Sequence, residues 1–403
     1  MSRIKIAIIG SKLMRWGGGI DFLIDFIKTF GAHQDKYTFE VFLPEKNWTE
    51  RSIRKILKKS ISDKRIRECL QRECPEVPIV IYKEKFPGRK DRYKAVKEIA
   101  LSRGVDILMP MDSLMDGIND DRYLTVSYIY DLQHKHMPEL FKEAELLKRD
   151  KYFRKMLSCY DHAFTQSYDT KNDLIKSYGE IANDVYVMYA YPHKIETTSN
   201  AGADIYDKYG IDQPFFMVCN QFWIHKNHQV VFDALEILYN KGIRDVMVVC
   251  TGDTNDYRNP QYFLDVKKHI DMLCCRKNIK ILGYIDKEDQ IYLLQHSISL
   301  IQPTLFEGNP GGGAVVDAMA YGVPCIVSDI PVNLEIPKCF RLDTTVFFEK
   351  KDASSLALCM EQAIASYDPE KEYENGLDYE EFYMEYDNII SDMISRKKKV
   401  EKS

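Results

Sequence analysis

The strongest constraint on this chain is an alternation. Short apolar runs of strand length are followed, again and again, by longer stretches of helical period. IKIAIIG (4–10) opens the series, and YTFEVFLP, VPIVIYK, VDILMPM, TVSYIYD, HAFTQS and VYVMY continue it. A continuous apolar run reads as a strand buried on both faces, and strands separated by helices build a parallel sheet wrapped on both sides. After the first run come glycines at 17–19, then Ile20, Leu23, Ile24 and Ile27 on one helical face.

Around 190–213 the alternation stops in a polar, punctuated stretch, YPHKIETTSNAGADIYDKYGIDQP. It restarts with FFMVCN (215–220), a helix from about Asn227, DVMVVCTGD, a helix over 260–276, IKILGYI, a helix over 287–296, and ISLIQPT. The expected fold class is α/β: two doubly wound, Rossmann-like domains facing a central cleft. The first domain is assigned to 1–195, a linker to 196–213, and the second domain to 214–375. A C-terminal helix and charged tail, 376–403, return to the first domain. Open sheets of this kind bind ligands beyond the carboxyl ends of their strands.

Composition narrows the partners. The formal net charge is −5, from 56 Lys and Arg against 61 Asp and Glu, which argues against a general nucleic-acid binder. None of the ten cysteines forms a CxxC pair, so they read as buried thiols in a reducing compartment. MSRIKIAIIG lacks the apolar core of a signal peptide, and no run approaches the ~20 apolar residues of a membrane span. A cytoplasmic protein is expected.

The densest chemistry lies in FEGNPGGGAVVDAMAYGVPCIVSD, 306–329. The strand before it ends near Thr304, which puts Glu307 at a carboxyl end. Gly311, Gly312 and Gly313 permit close backbone approach, and a helix from about Ala314 aims free N–H groups and a positive dipole end at the loop. That is an anion site suited to a diphosphate. Asp317 lies one turn into the helix, in reach of a ligand diol. Two acids around a phosphate site describe a nucleotide sugar; a glycine-rich turn with two solvated acids is the competing reading.

Together these stretches resemble the retaining glycosyltransferases of family four, which have the GT-B fold, and most of all the bacterial enzymes that build O-antigen and capsule polysaccharide. That family carries an EGFG-type loop, then EAMA, a glycine-proline pair and a strand ending in Ser-Asp; here the counterparts are FEGNPGGG, VDAMAYGVP and CIVSD. CNQFWIHKNH (219–228) resembles the start of the donor domain, normally GR…K, and the strand–GGG–helix at the amino end resembles the start of the acceptor domain. There are three departures. Nine residues rather than the usual seven separate Glu307 from Asp317. Aspartate stands for glutamate at the second acid. Gln221 occupies the place of the arginine, while Lys226 keeps the lysine. The missing charge falls to His225 or to an arginine elsewhere.

The resemblance implies roles. Lys226 neutralises the diphosphate leaving group, Glu307 holds donor-sugar hydroxyls, Asp317 holds ribose hydroxyls, and Gly311, Gly312 and Gly313 supply amides, with Gln221 alongside. Gly18 and Gly19 approach the donor phosphate or the acceptor. In TVSYIYDLQHKHMPELF (125–141), Asp131, His134 and His136 lie just past a strand end. Asp131 and His134 are assigned to catalysis, against packing histidines or a metal site as rivals. No Asp-x-Asp occurs, which agrees with a reaction needing neither metal nor cofactor beyond a nucleotide-sugar co-substrate.

The implied activity is retaining transfer to a hydroxyl of a growing glycan or a polyprenyl-diphosphate-linked oligosaccharide. A nucleotide-sugar 2-epimerase and a non-catalytic partner protein are the alternatives. One further stretch, RSIRKILKKSISDKRIR (51–67), reads as a basic amphipathic helix with Ile53, Ile56, Leu57 and Ile61 on one face. Arg51, Arg54, Lys55, Lys58 and Lys59 suit peripheral contact with anionic lipid; a surface helix with its apolar face in the core is the alternative.

Overall fold

The computed structural model describes residues 3–9, 14, 17–45, 63–83, 89–115, 117–195, 204–256, 258–341, 344–370 and 373–400. The chain divides into two compact units. The first comprises Met1–Leu132, Lys142–Glu196 and Asp378–Ser403, and the second Gln133–Phe141 and Thr197–Leu377.

The first unit is built on seven strands: β1 (Ile4–Ile9), β2 (Tyr37–Glu45), β3 (Ile79–Lys83), β4 (Ile107–Met111), β5 (Leu124–Tyr128), β6 (His162–Thr165) and β7 (Val185–Val187). Their order is β3-β2-β1-β4-β5-β6-β7, and every pair is parallel. The apolar runs become strands because helices cover both faces: every residue of β4 and β5 is buried. The glycines at 17–19 form the first turn of the helix Gly17–Thr29 rather than a loop before it. That helix buries Phe22, whose ring stacks on Tyr128 at 5.2 Å.

The helix Tyr379–Val400 closes this unit. Phe382, Tyr386, Ile390 and Met393, spaced at helical period, are all fully buried. Phe382 stacks on Tyr191 at 4.0 Å, and the Tyr37 hydroxyl donates to Asp387 at 2.6 Å. Residues 51–59, the proposed lipid-facing stretch, lie outside the described residues. The helix that follows, Asp63–Glu73, turns Ile66 and Leu70 into the core.

The second unit repeats the plan with β8 (Phe215–Cys219), β9 (Met247–Thr251), β10 (Ile279–Gly283), β11 (Ser299–Gln302), β12 (Cys325–Ser328) and β13 (Thr345–Phe348). The order β10-β9-β8-β11-β12-β13 is again parallel throughout. The winding reverses between β8 and β11, the position where doubly wound sheets open a crevice for ligands. Its helices include His228–Asn240, Tyr262–Met272, Lys287–Gln295 and Gly312–Ala320. The helix expected over 260–276 stops at Met272, and a 3-10 turn, Cys274–Asn278, leads into β10. All ten cysteines are free. Among the described residues no helix is long and apolar enough to cross a membrane.

Candidate functional site

Three loops meet at the carboxyl edge of the second sheet, because β8 lies between β9 and β11. The β8 loop carries Gln221, His225 and Lys226, the last two in a 3-10 turn, Ile224–Lys226. Asn227 follows in the left-handed region, φ 50°, which asparagine tolerates better than most residues, and opens the helix His228–Asn240. Leu305 N donates to the His225 carbonyl at 2.7 Å, tying the β8 loop to the β11 loop.

The glycine loop is held by buried amides. Gln302, at the end of β11, accepts from Asn220 Nδ2 at 2.5 Å and donates from Nε2 to the Gly311 carbonyl at 2.6 Å. Asn333 accepts from Gly311 N at 3.0 Å and donates to the Ser328 carbonyl at 2.9 Å. Leaving any such buried group unpaired costs about 1–3 kcal/mol, so the network fixes one loop conformation. Gly311 is left-handed at φ 71°, and a Cβ there would lie 2.4 Å from the Val315 Cβ. Gly312, at φ 66°, sits where a Cβ would crowd Gln302 and Glu307. Gly313 is different: it is exposed, with nothing within 4 Å of its would-be Cβ.

Lys226 and Glu307 meet in this loop cluster, Nζ donating to Oε1, with side chains only 13% and 12% exposed. A pair this sheltered is screened little by salt. Asp317 lies in the helix Gly312–Ala320, with Oδ2 2.6 Å from Lys287 Nζ. Gln221 is exposed beside the turn. His225 does not restore the lost cation. It is buried, and that burial, reinforced by Lys226 and Arg258, pushes its imidazole down to about 2 and keeps it neutral.

The remaining predicted residues belong to other segments. Gly18 and Gly19 begin a helix of the first unit, Gly18 exposed and Gly19 buried. Asp131 belongs to that unit too, 3.9 Å from Arg149. His134 and His136 belong to the segment Gln133–Phe141 of the second unit. His134 is buried there, and His136 lies against Phe306 with ring centroids 5.3 Å apart. Sequence reasoning missed Gln302, Asn333, Lys287 and Arg258. Amides and lone cations carry no spacing signal; only their neighbours in space reveal them.

A family model described as glycosyl transferases group 1 matches residues 204–376. Through this stretch the chain is similar to the glycosyl transferases group 1. The matched stretch holds Lys226, Glu307, the glycine loop and Asp317. The O-antigen chain mannosyltransferase RfbU of Salmonella typhimurium (strain LT2) is 23% identical over 212 residues, covering 52% of this chain and 53% of the relative. The chain therefore spans about half the length of that curated relative. Among solved structures, Anabaena HepE in complex with UDP-glucose superposes with a TM-score of 0.67 at 14% identity, over 97% of this chain and 100% of that one. Sucrose-phosphate synthase from Thermosynechococcus elongatus superposes with a TM-score of 0.63 at 14% identity, over 98% and 100%. These likenesses establish the fold, GT-B with two Rossmann-like domains, for group 1 and flanking residues alike.

Proposed function

We propose that this chain transfers a sugar from a nucleotide-diphosphate sugar to a hydroxyl of a growing glycan or a polyprenyl-diphosphate-linked oligosaccharide, with retention and without a metal ion. The observation that carries this reading is the sheltered Lys226–Glu307 pair beside the amino end of the helix Gly312–Ala320. Cation and helix dipole suit the diphosphate, and the carboxylate suits hydroxyls of the sugar attached to it.

In this reading the bond between the anomeric carbon and the diphosphate oxygen breaks, and a bond to the acceptor oxygen forms on the same face. The acceptor proton passes to the departing diphosphate. Lys226 and the helix amides stabilise charge that grows on the leaving group, where preorganised donors are worth most. The RfbU relative, an O-antigen chain mannosyltransferase, supports an O-antigen glycan as acceptor, and HepE, solved with UDP-glucose, supports a nucleotide-sugar donor. Asp131 and His134 are assigned to orienting the acceptor hydroxyl or donor sugar. The enzyme would then work in the cytoplasm, with Arg51, Arg54, Lys55, Lys58 and Lys59 touching the inner membrane face; vesicle flotation of charge-reversed variants tests that contact.

The deciding experiment is a thermal-shift screen against UDP, GDP, CDP, dTDP and ADP and their sugars, with and without EDTA. A ligand that binds only the folded state raises the melting temperature. A shift with one base, unchanged by EDTA and lost in Lys226→Ala, is expected, followed by transfer whose product keeps the donor's anomeric configuration by NMR. No shift with any of them would refute the donor site.

A further inference from the structure

We infer that Arg258 supplies the second cation of the diphosphate site, the charge that Gln221 lacks. This rests on the donor-site reading above and goes beyond it by naming a residue from a different loop. Arg258 lies in the loop that follows β9, and β9 is the direct neighbour of β8. The two loops run against each other. Phe222 N donates to the Asp253 carbonyl at 2.9 Å, and a Cβ on Gly252, φ 129°, would fall 2.2 Å from the Asn220 carbonyl oxygen. Glycine is required at 252 so that the β9 loop can come this close to the β8 loop.

The guanidinium is held in a defined place. Its Cζ lies 5.1 Å from the Trp223 ring centroid and 5.6 Å from that of Phe141. Nη1 donates to Gln133 Oε1 at 2.9 Å, and the Arg258 amide donates to Asp256 Oδ1 at 2.9 Å. Nε lies 3.8 Å from Asp256 Oδ1, and the side chain is 12% exposed. Trp223 stands three residues before Lys226, so the stacked guanidinium and the ammonium flank one short turn. The charges of both reach His225, which lies between Trp223 and Lys226 in sequence and stays neutral.

Lys226 and Arg258 thus reach this turn from the loops of adjacent strands. A planar guanidinium stacked on an aromatic face keeps its charge and meets a phosphate with a fork of donors. Gln221 on the β8 loop can form hydrogen bonds but brings no charge. The β9 loop restores it from the other side of the turn.

Titration calorimetry tests the assignment. The probes are whichever of UDP, GDP, CDP, dTDP and ADP binds the full chain best, and its unphosphorylated nucleoside. Arg258→Met should lower diphosphate affinity about ten- to hundredfold, the scale of a charge-assisted hydrogen bond, with nucleoside affinity unchanged. The double variant Gln221→Arg with Arg258→Met should recover most of the loss. Equal diphosphate affinity in Arg258→Met and the parent overturns the assignment. So does equal loss of diphosphate and nucleoside, which marks a packing role. If Arg258→Met does not fold, Arg258→Gln, which keeps polar reach toward Gln133, carries the same comparison. A parent that binds none of the diphosphates overturns the donor-site reading itself, and this assignment with it.

Discussion

Lys287 and Asp317 join two helices of the second unit, Nζ lying 2.6 Å from Oδ2. The ammonium holds this carboxylate in place. If Asp317 holds ribose, Asp317→Asn should abolish discrimination between the best-binding nucleoside diphosphate and its 2′,3′-dideoxy analogue. The parent should prefer the ribose form about tenfold, a hydrogen bond's worth to a charged group. Persistent discrimination in Asp317→Asn would remove it from the ribose contact.

The three glycines of the loop should separate by experiment. Gly311→Ala meets Val315 at a left-handed φ and should destabilise the chain by about 1–3 kcal/mol. Gly313→Ala has open space and an ordinary φ inside a helix, so it should gain about 0.5–1 kcal/mol. The same methyl would stand where a phosphate approaches the amide. A more stable Gly313→Ala that binds nucleoside diphosphate poorly is expected; unchanged binding would place the ligand away from this turn.

Lys226→Met should reduce turnover about 10²–10³-fold, the usual effect of deleting one preorganised donor to developing charge. Glu307 would then sit sheltered without its cation, so Lys226→Met with Glu307→Gln should be more stable than Lys226→Met alone. Chemical denaturation of the three proteins checks the order.

Much of this fold was legible because buried parallel strands write themselves as continuous apolar runs. FFMVCN, DVMVVC and ISLIQ became β8, β9 and β11 almost residue for residue. The glycine loop and Lys226 were legible because their types and order are unusual together. The boundary at Gln133–Phe141 was not: a short polar segment gives no sign of which unit it packs with. Arg258 was equally silent, one arginine among many, until the β9 loop brought it over Trp223. His225 misled, because a histidine beside a lysine reads as a cation until its burial is known.

Buried histidines give the stability a pH dependence. Desolvation pushes His193 and His228 down to about 3, and His225 to about 2. Unfolded imidazoles titrate near 6.5. Below that pH the unfolded chain takes up protons that the folded chain refuses. Stability is therefore full above about pH 6.5 and falls as pH drops, by about 1.4 kcal/mol per pH unit for each such group. Urea midpoints at about pH 7.5 and about pH 5 should differ accordingly, and His225→Asn should shrink the difference by about one proton's worth. Equal midpoints in the parent would contradict the neutral assignment.

The helix Tyr379–Val400 completes the first unit from a stretch that follows the second in sequence. A ribosome that has released residues 1–377 has delivered the whole second unit, yet only an incomplete first one. Until Phe382, Tyr386, Ile390 and Met393 emerge, the aromatic surface around Phe30, Tyr37 and Tyr191 has no cover. The unit whose strands are translated later is thus complete in the nascent chain before the unit whose strands are translated first.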